Sequence, residues 1–495
     1  MTLLHPVTPH HAHHSLIPAI STFTSFLPSS LSIDHLRAWY TNPATDPLHP
    51  AIAFSLVTSA VVFVLGELTG NVSQVDRLWT SLPLIYSAHF TFWPLVTGQV
   101  TRIADLDHRI LLVFALQCAW SARLTYQSAR RGFLTLNPWG EEDYRWLVVR
   151  KRLPKWAFSL LDLVFIAFIQ NLLLLAADLP QYLLLTHDRA ASSHLSQLAR
   201  LKPGHAPVAR VPLNLADALL AALFIVTLAL EMRADNEQQA FQNIKKRALD
   251  KRTKGHALTV KEQTAVERGF VAEGLWAWSR HPNFACEQAT WYILYAFTVV
   301  PFLPLAQSFT SHPLSTLAHL GSSTPSDKAQ SATAKLVDLV SSVPGALLPS
   351  HVDLDMALAA LLHPYTTLRA LSPVDPLSLL NQGALSRLGA QAKLAAHVAI
   401  AEVRADEGTY WNYAVLAPVI MSALFFSSTM LTEEISAGKY PLYKTYRRRV
   451  AKFWAPLTPL KGLYLALTGG RRAKVDRRIW GSREGQSEAK TLKRQ

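Results

Sequence analysis

The sequence predicts an all-α, polytopic membrane protein of about seven transmembrane helices. Half of the 495 residues are hydrophobic and only 17% are charged, more apolar than a soluble chain of this length requires. The apolar residues gather into runs near the roughly 20 that a helix needs to cross a bilayer. Basic residues give a net charge of +14 but stand beside those runs rather than in one block. That placement fits a lipid bilayer as partner and argues against nucleic acid.

Taken in order, residues 1–50 read as a lumenal tail. Met1 to Ser15 carries five histidines and no apolar core behind a basic start, so the first span is expected to act as the targeting signal. His10, His11, His13 and His14 lack the fixed geometry of a metal site, and no metal is expected.

Spans one to six are expected within 51–306, at Ala51–Leu68, Trp79–Val96, Ile110–Tyr126, Trp156–Ala176, Leu213–Met232 and Gly274–Leu305. The seventh is expected at Tyr413–Met430, within a unit of 408–457. Arg123 interrupts the third. Pro282 breaks the sixth into a turn followed by a helix that starts at the proline. Segments 181–211 and 307–407, rich in Ala, Leu, Ser and Pro, read as insertions. The longer one has room for surface helices at Ala357–Leu362 or Leu385–Val398, or is disordered. Residues 458–495 form a basic tail. Cys118 and Cys286 lie far apart in apolar segments and encode neither a disulfide framework nor a zinc site.

Arg130, Arg131, Arg145, Arg150, Lys151, Arg152 and Lys155 follow the third span, and Lys245 to Lys254 follow the fifth. Positive charge marks the cytosolic side, so the N-terminus is expected in the lumen and the C-terminus in the cytosol. The sequon Asn71-Val72-Ser73 then falls in the cytosol and should carry no glycan.

Ionisable residues at the ends of spans are functional candidates. Glu231, Asp235, Gln238 and Gln242 share one face if the fifth helix continues past the membrane. They suit ribose hydroxyls or a nicotinamide amide, although taken alone they read first as an ordinary solvated surface. Arg280 and His281 precede a helix start, where anions such as phosphates bind, unless they snorkel to headgroups. Asn283 and Glu287 follow one turn apart. Tyr443, Tyr446 and Val450 recur at helical spacing and predict an amphipathic helix at the cytosolic interface. No glycine-rich dinucleotide fingerprint or Walker loop is present, so any dinucleotide must be held between helices.

Trp278-Ser279-Arg280-His281-Pro282-Asn283-Phe284 with Glu287, preceded by Ala234-Asp235-Asn236 and followed by Glu434, Tyr440, Tyr443 and Tyr446, resembles the C-terminal domain of steroid 5α-reductases. With Asn71 to Trp79, Trp120 to Tyr126, Arg131-Gly132 and Glu142 to Trp146, the chain is most similar to the DUF1295 branch. The resemblance covers about Ala51–Leu305 and Trp411–Leu457. It implies seven helices of the endoplasmic reticulum membrane enclosing NADPH, which reduces a double bond conjugated to a ketone in an apolar substrate.

The cofactor residues implied are Glu231, Asp235, Gln238, Arg280, His281, Asn283, Glu287, Glu434, Tyr440, Tyr443 and Tyr446. Trp120 stands where steroid reductases carry their catalytic tyrosine. Tyr126 lies nearby at another helical phase, and Asp76 or Gln74 stands for their glutamate, so these three are the candidates for proton transfer. Arg280-His281 also resembles isoprenylcysteine carboxyl methyltransferases, which implies S-adenosylmethionine and a lipid or prenyl-peptide substrate as the alternative. A non-catalytic lipid-binding protein is the third reading.

Overall fold

The computed structural model describes residues 16–186, 213–302 and 412–481, apart from 29, 135, 136 and 469. The histidine cluster, most of both insertions and the end of the basic tail lie outside these residues. The chain divides into two compact units. One comprises His14–Pro212, Ala218–Thr298 and Tyr413–Gln495 and contains the candidate site. The other comprises Met1–His13, Leu213–Asp217 and Val299–Asn412. Within its few described residues, Asn214 Nδ2 donates to the Pro301 carbonyl at 2.7 Å.

Each expected span forms a helix: α1 (Leu48–Thr69), α2 (Leu82–Val96), α3 (His108–Arg130), α4 (Lys155–Ala176), α5 (Leu215–Thr253), α6 (Pro282–Ala296) and α7 (Tyr413–Lys439). Among the described residues, four of them, α1, α4, α5 and α7, are long and apolar enough to cross a membrane. The helices α2 and α6 have 15 residues each. That length reaches about 22 Å, short of a hydrocarbon core of about 30 Å. In α3 the length suffices, but Arg109, Arg123 and Arg130 dilute its hydropathy.

Local chemistry fixes the helix ends. Asp107 caps α3 by accepting from the backbone N–H of Arg109 and Ile110 at 2.8 and 3.1 Å. Gly70, at φ +66°, ends α1 in the left-handed region. Pro282 opens α6, where its missing N–H costs nothing. A π-helical stretch, Asp162–Ile169, interrupts α4. Pairwise, α1 packs on α4, α2 on α3, and α6 on α7. Residues 179–186, most of which were expected in an insertion, are helical, with Tyr182 and Leu183 fully buried.

Beyond α7 the chain forms α8 (Pro441–Arg449), α9 (Leu457–Leu467) and α10 (Arg472–Trp480), packed on one another. Here the expected interfacial helix turns inward. Tyr443 and Tyr446 are buried against Phe270, with ring centroids at 4.9 and 5.0 Å, in a core shared with Val450 and Ile479. Burying aromatic faces against another ring outweighs lipid contact at these positions. The exposed apolar face belongs to α9 instead, through Leu457, Leu460, Leu463, Tyr464 and Leu467.

Candidate functional site

A guanidinium in the middle of an apolar helix needs carboxylate partners, because burying an isolated charge is costly. Arg123 finds three. Its side chain is 5% exposed and pairs with Glu231 at 2.7 Å, Asp235 at 3.0 Å and Glu287 at 3.1 Å. Glu231 and Asp235 lie one turn apart on α5, whereas Glu287 comes from α6.

The indoles of Trp120 on α3 and Trp291 on α6 both donate to Glu287 at 3.1 Å, and their rings meet edge to face at 5.1 Å. Asn283 Nδ2 donates to Asp235 Oδ1 at 3.1 Å. At the outer edge Arg131, 44% exposed, pairs with Asp235 at 2.9 Å, and Arg130 donates to Asn236 at 2.8 Å.

This cluster is not closed. Glu231 Oε2, Gln238 Oε1 and Asn283 Oδ1 are buried and lack a hydrogen-bond partner. Unpaired buried acceptors mark places where water or a ligand supplies donors. All three are acceptors, so the arrangement receives amide N–H or hydroxyl groups, while Arg130 and Arg131 offer positive charge at its edge.

A second buried cluster adjoins the start of α6. Arg280 Nε and Glu433 Oε1 pair at 2.6 Å, His281 Nε2 lies 3.1 Å from the same oxygen, and Arg447 reaches Oε2 at 3.3 Å. Arg280 also donates to the carbonyls of Arg447, at 3.2 Å, and Val450. The backbone N–H groups of Arg280 and His281 donate to Ala451 O and Lys452 O at 2.8 and 3.1 Å. This cluster bolts the segment after α8 to the N-terminus of α6. Burial lowers the His281 imidazole below its ordinary range, although the Glu433 hydrogen bond opposes this.

The DUF1295 family, described as a protein of unknown function, matches residues 62–326, more than half of the chain. The chain belongs to the DUF1295 family. An uncharacterized protein of Schizosaccharomyces pombe is 32% identical over 258 residues, covering 52% of this chain and 66% of that protein. The chain therefore spans just under two thirds of the relative's length. No solved structure matches it.

In this DUF1295 protein the sequence-predicted residues separate into several environments. Glu231, Asp235, Asn283 and Glu287 converge on Arg123, and Gln238 lies one turn beyond Asp235 on the same helix. Arg280 and His281 join Glu433 instead, and their polar groups are engaged by the fold itself. Glu434 points away, 66% exposed, with Arg152 at 3.5 Å.

Tyr440 packs its ring against Gly269 and accepts from Lys245 Nζ at 2.8 Å, and Tyr446 donates to the Trp276 carbonyl. Burial pushes the Tyr443 and Tyr446 hydroxyls above the usual phenol range. Tyr443 belongs to the Phe270 core.

Of the three proton-transfer candidates, Tyr126 is half exposed, with Arg130 over its ring at 5.5 Å. Gln74 is buried and donates to Asn71 O and Pro138 O at 3.1 and 2.8 Å. Asp76 accepts from Trp146 Nε1 at 3.2 Å, and burial raises its carboxyl above the ordinary range. Asp76 lies one turn before Thr80, whose carbonyl accepts from Ser121, the neighbour of Trp120.

Arg123, Arg131, Trp291 and Glu433 were not among the predicted site residues. Arg123 carried a legible signal: a cation in mid-span demands buried acids. Glu433 carried none that distinguished it from Glu434.

Proposed function

We propose that this DUF1295 protein is a reductase of the endoplasmic reticulum membrane, with seven crossing helices, a lumenal N-terminus and a cytosolic C-terminus. In this reading it uses NADPH to reduce a carbon–carbon double bond conjugated to a ketone in an apolar lipid. What supports the reading is the convergence of Glu231, Asp235, Asn283 and Glu287 on Arg123, with three unpaired acceptors left over. A nicotinamide amide and ribose hydroxyls are donors and fit those acceptors, and phosphates fit Arg130 and Arg131 at the edge.

NADPH, when bound, supplies the hydride. Asn283 and Gln238 hold and orient the amide edge, and Arg123 keeps the carboxylates in place. The apolar helices exclude water, which strengthens each polar contact. Asp76, whose carboxyl burial raises above its ordinary range, is the group assigned to supply the proton that completes the reduction.

One observation favours a second reading, an S-adenosylmethionine-dependent methyltransferase acting on a lipid or prenyl peptide. Three carboxylates gather around Arg123, and an acidic lining of that kind also suits a sulfonium. Titrating the purified protein with each cofactor separates the two. Saturable binding of NADPH alone is expected, and saturable binding of S-adenosylmethionine alone overturns the reductase.

A further inference from the structure

A separate chamber-like cluster of buried polar groups lies farther along α3, toward its N-terminus. Gln117, 2% exposed, donates its amide to Asp178 Oδ1 at 2.6 Å. Asp178 is fully buried, and its Oδ2 has no partner. One turn beyond Asp178, Gln181 is 1% exposed and donates to Thr91 Oγ1 on α2 at 2.9 Å and to Ile110 O on α3 at 3.1 Å. One turn before Thr91, the fully buried Ser87 Oγ has no partner either.

The carboxamides have one sensible orientation. Both spend their NH2 groups on acceptors, so turning either over sets oxygen against oxygen. The oxygens Gln117 Oε1 and Gln181 Oε1 are therefore genuine acceptors, and both are buried without a partner. With Asp178 Oδ2 they make three buried oxygens without a partner, beside the Ser87 hydroxyl and the buried Tyr86 hydroxyl, which has no partner either. Such a set is completed by a hydrogen-bonding group from outside the chain. Neighbouring positions on the same helices are apolar and buried: Phe90 on α2, Val113 and Leu116 on α3, and Leu174 on α4. A donor carried on an apolar body matches both features.

We infer that Asp178, Gln117 and Gln181 form a receptor for the hydroxyl group of a membrane lipid. Gln117 is one helical turn from Trp120, which contacts Glu287, so α3 links these groups to the Arg123 cluster. The inference rests on the proposed reading that the protein handles an apolar substrate, and it adds that the substrate or its product carries an alcohol.

The test uses the full chain in lipid nanodiscs and two photoreactive sterols, one with a free 3-hydroxyl and one with the corresponding methyl ether. The alcohol is expected to label the protein saturably and to half-saturate about five- to tenfold lower than the ether, the worth of one hydrogen bond. Gln181→Leu and Ser87→Ala are each expected to narrow that difference. Thermal unfolding of the same samples reports whether a variant is folded, and NADPH binding by the wild-type protein tests the reductase reading separately.

Equal labelling by alcohol and ether in the wild-type protein overturns the inference and assigns the chamber to water. Selective labelling by the alcohol in a protein that does not bind NADPH leaves the chamber standing and rejects the reductase.

Discussion

Arg123 and Glu287 stand 164 residues apart in the chain and meet at 3.1 Å, their side chains 5% and 7% exposed. Glu231, Asp235, Asn283 and the two indoles are arranged around this pair, so it holds α3, α5 and α6 in register. Replacing Arg123 by leucine leaves three buried acids without their cation. The expected loss is about 3–5 kcal/mol, the cost of breaking a buried pair by removing one partner. Thermal unfolding in detergent reads it, and an unchanged midpoint is incompatible with the pairing.

Gly269 ends the helix Val260–Arg268 at φ +77°, and a Cβ there lies 2.0 Å from the Tyr440 ring. Left-handed backbone costs an L-residue about 1–2 kcal/mol before any clash is counted. Gly269→Ala is therefore expected to lower the denaturation midpoint, and the added substitution Tyr440→Ala to recover only the steric part.

Lys461 Nζ donates to Arg447 O and Val450 O at 2.6 and 3.0 Å. Burial first, and then Arg280, bring its pKa from 10.5 to about 8. Between those values the unfolded chain holds a proton that the folded one has released, so this group makes stability rise with pH from about 8 to 10.5. The difference in midpoint between wild-type protein and Lys461→Met, followed across that window, isolates the effect. A difference that stays constant with pH contradicts it.

Asn71 donates Nδ2 to Pro138 O and Gly140 O at 3.3 and 2.8 Å and is 5% exposed. The nitrogen that would carry a glycan is engaged inside the fold. Glycosidase treatment of the protein from a eukaryotic host is expected to leave its mobility unchanged through this site, and an Asn71 glycan found by mass spectrometry contradicts both the burial and the cytosolic placement.

Under the reductase reading, Asn283→Ala removes one hydrogen bond to the cofactor and one to Asp235. The expected result is a KM for NADPH raised about tenfold, roughly the worth of one hydrogen bond, in a protein that still folds because Asp235 keeps its two arginines. A lower kcat at unaltered KM points instead to a role in chemistry.

Much of this architecture was legible beforehand. All seven apolar runs become helices, and the break at Pro282 falls where proline chemistry places it. Spacing also brought Asn283 and Glu287 to one face of α6, and Glu231 and Asp235 to one face of α5. It misjudged Tyr443 and Tyr446, because helical periodicity marks an apolar face without saying whether lipid or Phe270 covers it.

The sequence by itself determined the helices, the family and which acids and amides lie near helix ends, since these follow from local composition and from spacing along one helix. Tertiary structure alone decided that Arg123 is the hub, and that Glu433 rather than its neighbour Glu434 meets Arg280 and His281. Adjacent residues on a helix point about 100° apart, so which of two glutamates is buried depends on how α7 is rotated against its neighbours. That rotation is set by packing among segments far apart in the chain.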